Sequence, residues 1–464
     1  MARDKSKVEL PGPRLPALAQ AAAFYARPIE FAHTLRRRYG PDFRIDIPPF
    51  GETAYLSEPE SIKAVFTGGD AYRAGEANWI MRPILGGHSV LLLDGDDHLA
   101  QRRMLLPPFH GEAVRAYADT VREVTEREVA GWPRRQPFAA RSRMQRITLE
   151  VIMRAVMGVT DPERLATLRA LLVRMVAISD LDVIAFGLFP RFGDTRVGRG
   201  LEPYATRDRV RAFLNDEIAE RRTATTRAGD VLSLLVAARD EDGNALSDAE
   251  LCDEIITLLV AGHETTATAL AWALERLSRH PLVLSRLVDE IDAGESDAYA
   301  EAVCRETLRI RPVIQDVMRR VKRDVVIGSG RVRKGAMAMP AIALAHTDGS
   351  TYDDPYAFNP DRFLDAKPGT YTWLPFGGGT RRCIGAAFAL MEMKTVLATV
   401  LSNVALGTTQ APSERARIKH VTLVPAQGAK IAIEDRRPGR PRDGGSQRES
   451  PEAVRAVLPM GFPS

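Results

Sequence analysis

Between Ser247 and Pro281 the chain carries one long helical pattern, and any fold it adopts must make room for it. Ser247-Asp248-Ala249-Glu250 reads as a capping box, in which hydroxyl and carboxylate satisfy each other's backbone N–H groups. Pro281 ends the pattern, because a proline has no N–H to donate and its ring clashes with the preceding turn. The expected helix therefore runs from about Ser247 to about His280. Helices longer than about 25 residues ordinarily signal a coiled coil or a membrane span. Here no heptad is sustained, and His263, Glu264 and several threonines interrupt the apolar positions. The better reading is a central helix crossing the whole core.

Around it, helical spacing of apolar residues continues from roughly Val210 to Leu287. Strand signals are short and few: Ala54 to Leu56, Val325 to Ile327, Met337 to Pro340 and Ile431 to Ile433. The expected fold class is mainly α with small β-sheets, of the α+β type. A length of 464 residues suggests several domains as a soft prior, yet no Ser/Gly-rich linker or repeat marks a boundary. A single large domain over residues 21–433 fits better, after an N-terminal segment of residues 1–20. The tail from residue 434 is rich in Arg, Pro, Gly and Ser and should be disordered, with a short helix from Val454 to Leu458 as the exception.

Hydrophobic residues at 45%, charged residues at 27% and a net charge of +4 are ordinary for a soluble globular chain and give no sign of nucleic-acid binding. Cys252, Cys304 and Cys383 are odd in number, far apart and without a Cys-x-x-Cys pair, which argues against a disulfide framework and for a reducing cytoplasm. Met1 to Leu10 carries charges throughout, so it offers neither a signal-peptide core nor a spanning helix.

The chemistry concentrates in Phe376-Gly377-Gly378-Gly379-Thr380-Arg381-Arg382-Cys383-Ile384-Gly385. A phosphate loop needs Gly-x-x-x-x-Gly-Lys-Ser/Thr, and a dinucleotide turn needs a third glycine where Arg382 stands. Neither template fits. A thiolate on iron needs backbone N–H groups aimed at its sulfur, and glycines let the chain wrap closely enough to supply them. The bland alternative is a turn holding a structural cysteine. The segment matches Phe-x-x-Gly-x-Arg-x-Cys-x-Gly and so resembles the cytochrome P450 family of haem-thiolate monooxygenases, with the similarity running from Pro11 to about Ile433.

That resemblance implies a haem b cofactor (iron protoporphyrin IX) with Cys383 as the iron ligand, and with Phe376, Gly385 and Ala261 against it. His98 and Arg102, four apart on one helix face, together with Arg319 and Arg381, would meet the haem propionates. Within Ala261-Gly262-His263-Glu264-Thr265-Thr266, Glu264 and Thr265 would deliver protons to dioxygen, and Gly262 would leave room for it. A glycine inside a helix costs about 1 kcal/mol, which hints at a close approach there. Thr265 is expected to bond back to the Ala261 carbonyl. His263 is expected to be structural. Glu306, Arg309 and Arg362 would form a buried triad bracing the cysteine loop.

The resemblance further implies an oxygen insertion into an apolar organic substrate: a fatty acid, terpene or steroid-like molecule. The pocket would be lined by Trp79, Ile80, Met81, Ile84, Leu85, Val313 to Met318 and Ile184 to Phe189. The form is that of a soluble, bacterial-type member without a membrane anchor. No flavin or ferredoxin domain follows the haem region, so a separate ferredoxin or flavodoxin would supply electrons at a basic face of Arg103, Arg382 and Lys394. Two other readings stay open: a non-catalytic haem sensor or carrier, and a peroxide-driven hydroxylase of the same fold.

Overall fold

The computed structural model describes residues 9–159, 161–176, 202–224, 229–364 and 368–437. Its longest helix is Asp248–Arg279, closed at its start by the expected box: Ser247 N–H donates to Glu250 Oε2 at 2.8 Å and Glu250 N–H to Ser247 Oγ at 3.3 Å. His280 follows as the C-cap, and Pro281 opens the next helix, Pro281–Ala293, where a missing N–H is harmless. The central helix lies chiefly along Ala140–Met157 and also touches Ala386–Asn403, which in turn packs on Ala118–Ala130. These helices enclose the largest apolar core.

Gly262 sits where the central helix meets Ala140–Met157. A Cβ there would lie 2.8 Å from Ile152 Cδ1, so a larger residue would have to push the end of that side chain aside in the helix–helix seam. The close approach that the glycine signals is thus by Ile152; the expectation that it also leaves room for dioxygen stands apart from this contact. Gly262→Ala should gain about 1 kcal/mol of helix propensity and lose about 1–3 kcal/mol to overpacking. Thermal denaturation should therefore show a net loss. In an Ile152→Val background, which removes the clashing methyl, the same substitution should stabilise; an unchanged sign would refute the packing account.

Small sheets complete the α+β fold. The principal one orders its strands Asp42–Ile47, Gly51–Leu56, Met337–Pro340, Arg319–Val321 and Tyr72–Arg73. Gly51–Leu56 runs parallel to Met337–Pro340, with Thr53 opposite Met337, while the other pairs are antiparallel. Val325–Ile327 pairs with Gly330–Val332. The strand expected over Ile431 to Ile433 is divided: Lys430–Ile431 pairs with Phe138–Ala139, and Ile433–Arg436 with Val404–Leu406.

That last strand carries order past the expected boundary at residue 434. Backbone pairing and arginine–carbonyl bonds do what apolar burial cannot: the Arg436 guanidinium donates to Val129 O and Ala130 O at 2.7 Å, and Arg437 to Leu401 O at 2.6 Å. Val454 to Leu458 lies outside the described residues. At the other end, Leu10 is buried, and the Gln20 side chain joins Leu15 O at 2.7 Å to Asp46 N–H at 3.0 Å.

Candidate functional site

Cys383 lies between the short turn Gly379–Arg381 and the helix Ala386–Asn403. Its N–H donates to Phe376 O at 2.9 Å, closing the loop on itself. Gly379 is held at φ +64, and a Cβ on it would stand 2.5 Å from the Phe66 carbonyl oxygen, so only glycine lets the loop seat on the helix Pro59–Thr67. Cys383 is exposed, whereas Cys252 and Cys304 are buried. Enclosure by the surrounding chain raises the Cys383 thiol pKa; the Gly385 N–H at the sulfur, Arg382 and Arg102 oppose that shift.

Helix Gly95–Leu105, strand Arg319–Val321 and the turn before Cys383 bring His98, Arg102, Arg319 and Arg381 into one electrostatic cluster. Burial, Arg381 and Arg102 push His98 down to about 4, so it is neutral at pH 7. Burial and Arg381 push Arg319 down to about 10, and its Nη1 finds only Met318 O at 2.8 Å. Arg102 donates to the Arg382 carbonyl at 2.6 Å, beside the cysteine. Arg381 donates to Val90 O, Leu93 O and Asp94 Oδ1.

Asp94 is a residue the sequence reasoning missed. Its carboxylate accepts from Arg381 at 2.7 Å, from Ala74 and Gly75 N–H at 2.9 Å and from Glu76 N–H at 3.0 Å. The available signal was its place at the N-cap of the helix bearing His98 and Arg102.

On the central helix, Thr265 Oγ1 donates to Ala261 O at 2.7 Å, as expected. Glu264, one residue earlier and so turned about 100° away, is buried and paired with Arg141, and it accepts from Gln145 Nε2 at 2.7 Å. The two members of the expected relay thus face different neighbours. His263 is buried against Thr148, 3.0 Å from its Oγ1, which places it in the helix–helix seam. Thr266 bonds to Glu392, whose carboxyl is pushed up to about 8 by burial and is largely protonated at neutral pH. That contact ties the central helix to the helix following Cys383.

Below the loop, the triad is assembled. Arg309 Nε and Nη2 each donate to Glu306 at 2.7 Å, and Arg362 Nε reaches Glu306 Oε1 at 3.3 Å. Arg309 O lies 3.2 Å from His346 Nδ1, and His346 Nε2 accepts from Leu374 N–H at 2.6 Å, two residues before Phe376. The brace therefore runs from Glu306 to the start of the cysteine loop.

Residues 10–432 match the family model described as Cytochrome P450. The chain belongs to the cytochrome P450 family. Similar proteins include one provisionally named cytochrome P450 135B1 from Mycobacterium tuberculosis, 43% identical over 91% of each chain. Another, provisionally named cytochrome P450 138 from the same organism, is 37% identical over 92% of this chain and 96% of that protein. Among solved structures, the haem domain of cytochrome P450DA superposes with a TM-score of 0.79 at 24% identity, covering 93% of this chain and 98% of that one. Retinoic-acid-bound cyanobacterial CYP120A1 gives 0.78 at 23% identity, covering 92% and 99%.

As a P450, the protein is a haem-dependent monooxygenase, and its donor set fits that group. An open thiol with an N–H at its sulfur suits thiolate ligation of iron. Three guanidiniums and a histidine around the single carboxylate of Asp94 leave a positive surplus suited to two carboxylate side arms. The basic face is less open than the spacing implied. Lys394 is held by Asp297 at 2.7 Å and Glu301 at 3.1 Å, and Arg103 pairs with Glu241 at 2.5 Å. Among the described residues no helix is long and apolar enough to cross a membrane.

Proposed function

We propose that this P450 uses dioxygen to hydroxylate an apolar organic substrate such as a fatty acid, terpene or steroid-like molecule, drawing electrons from a separate ferredoxin or flavodoxin in the cytoplasm. Cys383 would ligate the iron, and Phe376, Gly385 and Ala261 would help to hold the porphyrin. His98, Arg102, Arg319 and Arg381 receive the propionates. Haem held by a thiolate supplies the activation of dioxygen. The observation that carries this reading is the open Cys383 thiol beside a cation cluster with one carboxylate.

Thr265 serves as the proton carrier. Its O–H donates to Ala261 O, which leaves its oxygen lone pairs free to hold an ordered water; turning the hydroxyl off Ala261 O would let it donate its own proton and take one back from that water. Glu264, fixed by Arg141 and Gln145, acts one step behind it, through water. Keeping this acid–alcohol pair favours the oxygen-dependent reaction over a peroxide-driven one. In Thr265→Ala, product formed per electron consumed should fall roughly 100-fold, the low end of a general acid–base contribution, while Thr265→Ser retains coupling. Full coupling in Thr265→Ala would remove the assignment.

For the substrate, Met81 and Ile84 are half-buried against the core and support an apolar wall, whereas Leu85 and Val313 are core residues. Ile184 to Phe189 lies outside the described residues. Asp316 breaks the apolar character of the segment Val313 to Met318; burial pushes its carboxyl up to about 7, and Tyr55 donates to it at 3.2 Å. For the donor, Arg382 is the exposed cation beside the cysteine. Reversing Arg103 and Arg382 to glutamate should weaken donor binding several-fold at low salt, with the difference shrinking as salt rises. Unchanged affinity and salt dependence would exclude this face.

A further inference from the structure

Away from Cys383, a cleft of about 450 Å³ opens where helix Pro28–Tyr39, the end of the central helix, residues 310–312 and strand Thr422–Pro425 meet. None of the residues assigned above to haem or proton transfer lines it. Much of its wall is apolar, formed by Ile29, Ile310, Pro312, Ala343 and Leu423. The volume is that of a small-molecule site.

The charges around the cleft do not balance. Arg276 and Arg279 both pair with Glu275, at 2.6 Å and 3.2 Å. Arg311 stacks over Trp272 at 5.2 Å, donates to Ile310 O at 3.0 Å and to Ser413 Oγ at 2.9 Å, and has no carboxylate at ion-pair distance among the described residues. Among the described residues its Nε is buried with no hydrogen-bond partner. A desolvated guanidinium with an unused donor is costly unless an anion meets it. Arg37 adds an exposed cation at the rim, donating to Thr34 Oγ1 at 3.2 Å, and Glu30 is the one carboxylate on the lining.

We propose that this cleft binds a small amphipathic anion, its head at Arg311 and Arg37 and its apolar body along Ile310 and Leu423. A free carboxylate and a phosphate monoester share that chemistry, and the site is independent of the haem assignment.

The test is calorimetric titration of the holoprotein with its iron side blocked by 4-phenylimidazole, using hexanoate, hexyl phosphate, hexanol and inorganic phosphate in turn. Hexanoate or hexyl phosphate should bind with one-to-one stoichiometry and leave the Soret band unmoved, and whichever is tighter identifies the source. Hexanol and inorganic phosphate should bind at least about tenfold more weakly, since each lacks one of the two contacts. Arg311→Gln should weaken the anion about tenfold and spare hexanol. Because that variant also removes the stack on Trp272, the exposed Arg37→Glu provides a second reading with the same expected direction, and Glu30→Gln should tighten binding. Absence of heat, equal binding of hexanol, or indifference to both arginine substitutions would overturn the proposal.

Discussion

Arg309→Leu is expected to cost about 3–5 kcal/mol, the usual penalty for leaving one member of a buried ion pair uncompensated. That is a large share of the roughly 5–15 kcal/mol that holds an ordinary domain together. Glu306 is fully buried, and without Arg309 its carboxylate keeps only the Arg362 Nε at 3.3 Å and the Asn359 N–H at 2.9 Å. Arg309 also donates to the carbonyls of His346, Pro355 and Ala357, which would all be stranded. Thermal or urea unfolding, with haem release followed in parallel, gives the measurement. Glu306→Gln combined with Arg309→Leu should be milder than the sum of the single changes, because the fully buried carboxylate is gone and only Arg362, which keeps some exposure, is left without its partner. An unfolding midpoint indistinguishable from the parent would show that the triad does not support the loop.

Cys383→Ser should reduce monooxygenation by more than about 100-fold, the upper end of what loss of an outer-shell partner costs a metal site, and abolish the red-shifted Soret band of the reduced carbon monoxide complex. No other thiol can take over. Burial pushes Cys252 up to about 11 and Cys304 to about 12, so both stay protonated at neutral pH. Neutral His98 and the cations Arg102, Arg319 and Arg381 are untouched by the substitution, so some haem should still associate, with altered spectra. An unchanged absorption profile would show that the sulfur is not the ligand.

The legible parts of this chain were those set by local chemistry. The capping box and Pro281 fixed both ends of the central helix, because each is a contact within one turn. Val325–Ile327 and Met337–Pro340 stood out as β-rich runs bounded by turns, and the structure keeps both with the expected bounds. Thr265 bonding to Ala261 likewise needs only helix geometry. Asp42–Ile47 escaped notice: its charged residues weakened the signal, and its pairing with Gly51–Leu56 became visible only in the fold. The parallel pairing of Gly51–Leu56 with Met337–Pro340 joins distant parts of the chain, and no local pattern encodes it.

The site divides in the same way. The cysteine motif, the Glu306–Arg309 spacing and the His98–Arg102 spacing are short-range patterns, and the structure brings the propionate candidates together. Gly262 was visible, but its reason was not, since Ile152 reaches it from another helix. Arg141 and Gln145 on Glu264, Asp94 on Arg381, and the acids holding Lys394 are likewise pairings across elements. By itself, then, the sequence determined which residues could do chemistry and where the helices begin and stop, because those depend on neighbours within a turn. Which carboxylate neutralises which cation, and which glycine yields to which side chain, was decided only by tertiary packing, where distances are set by elements that meet from far along the chain.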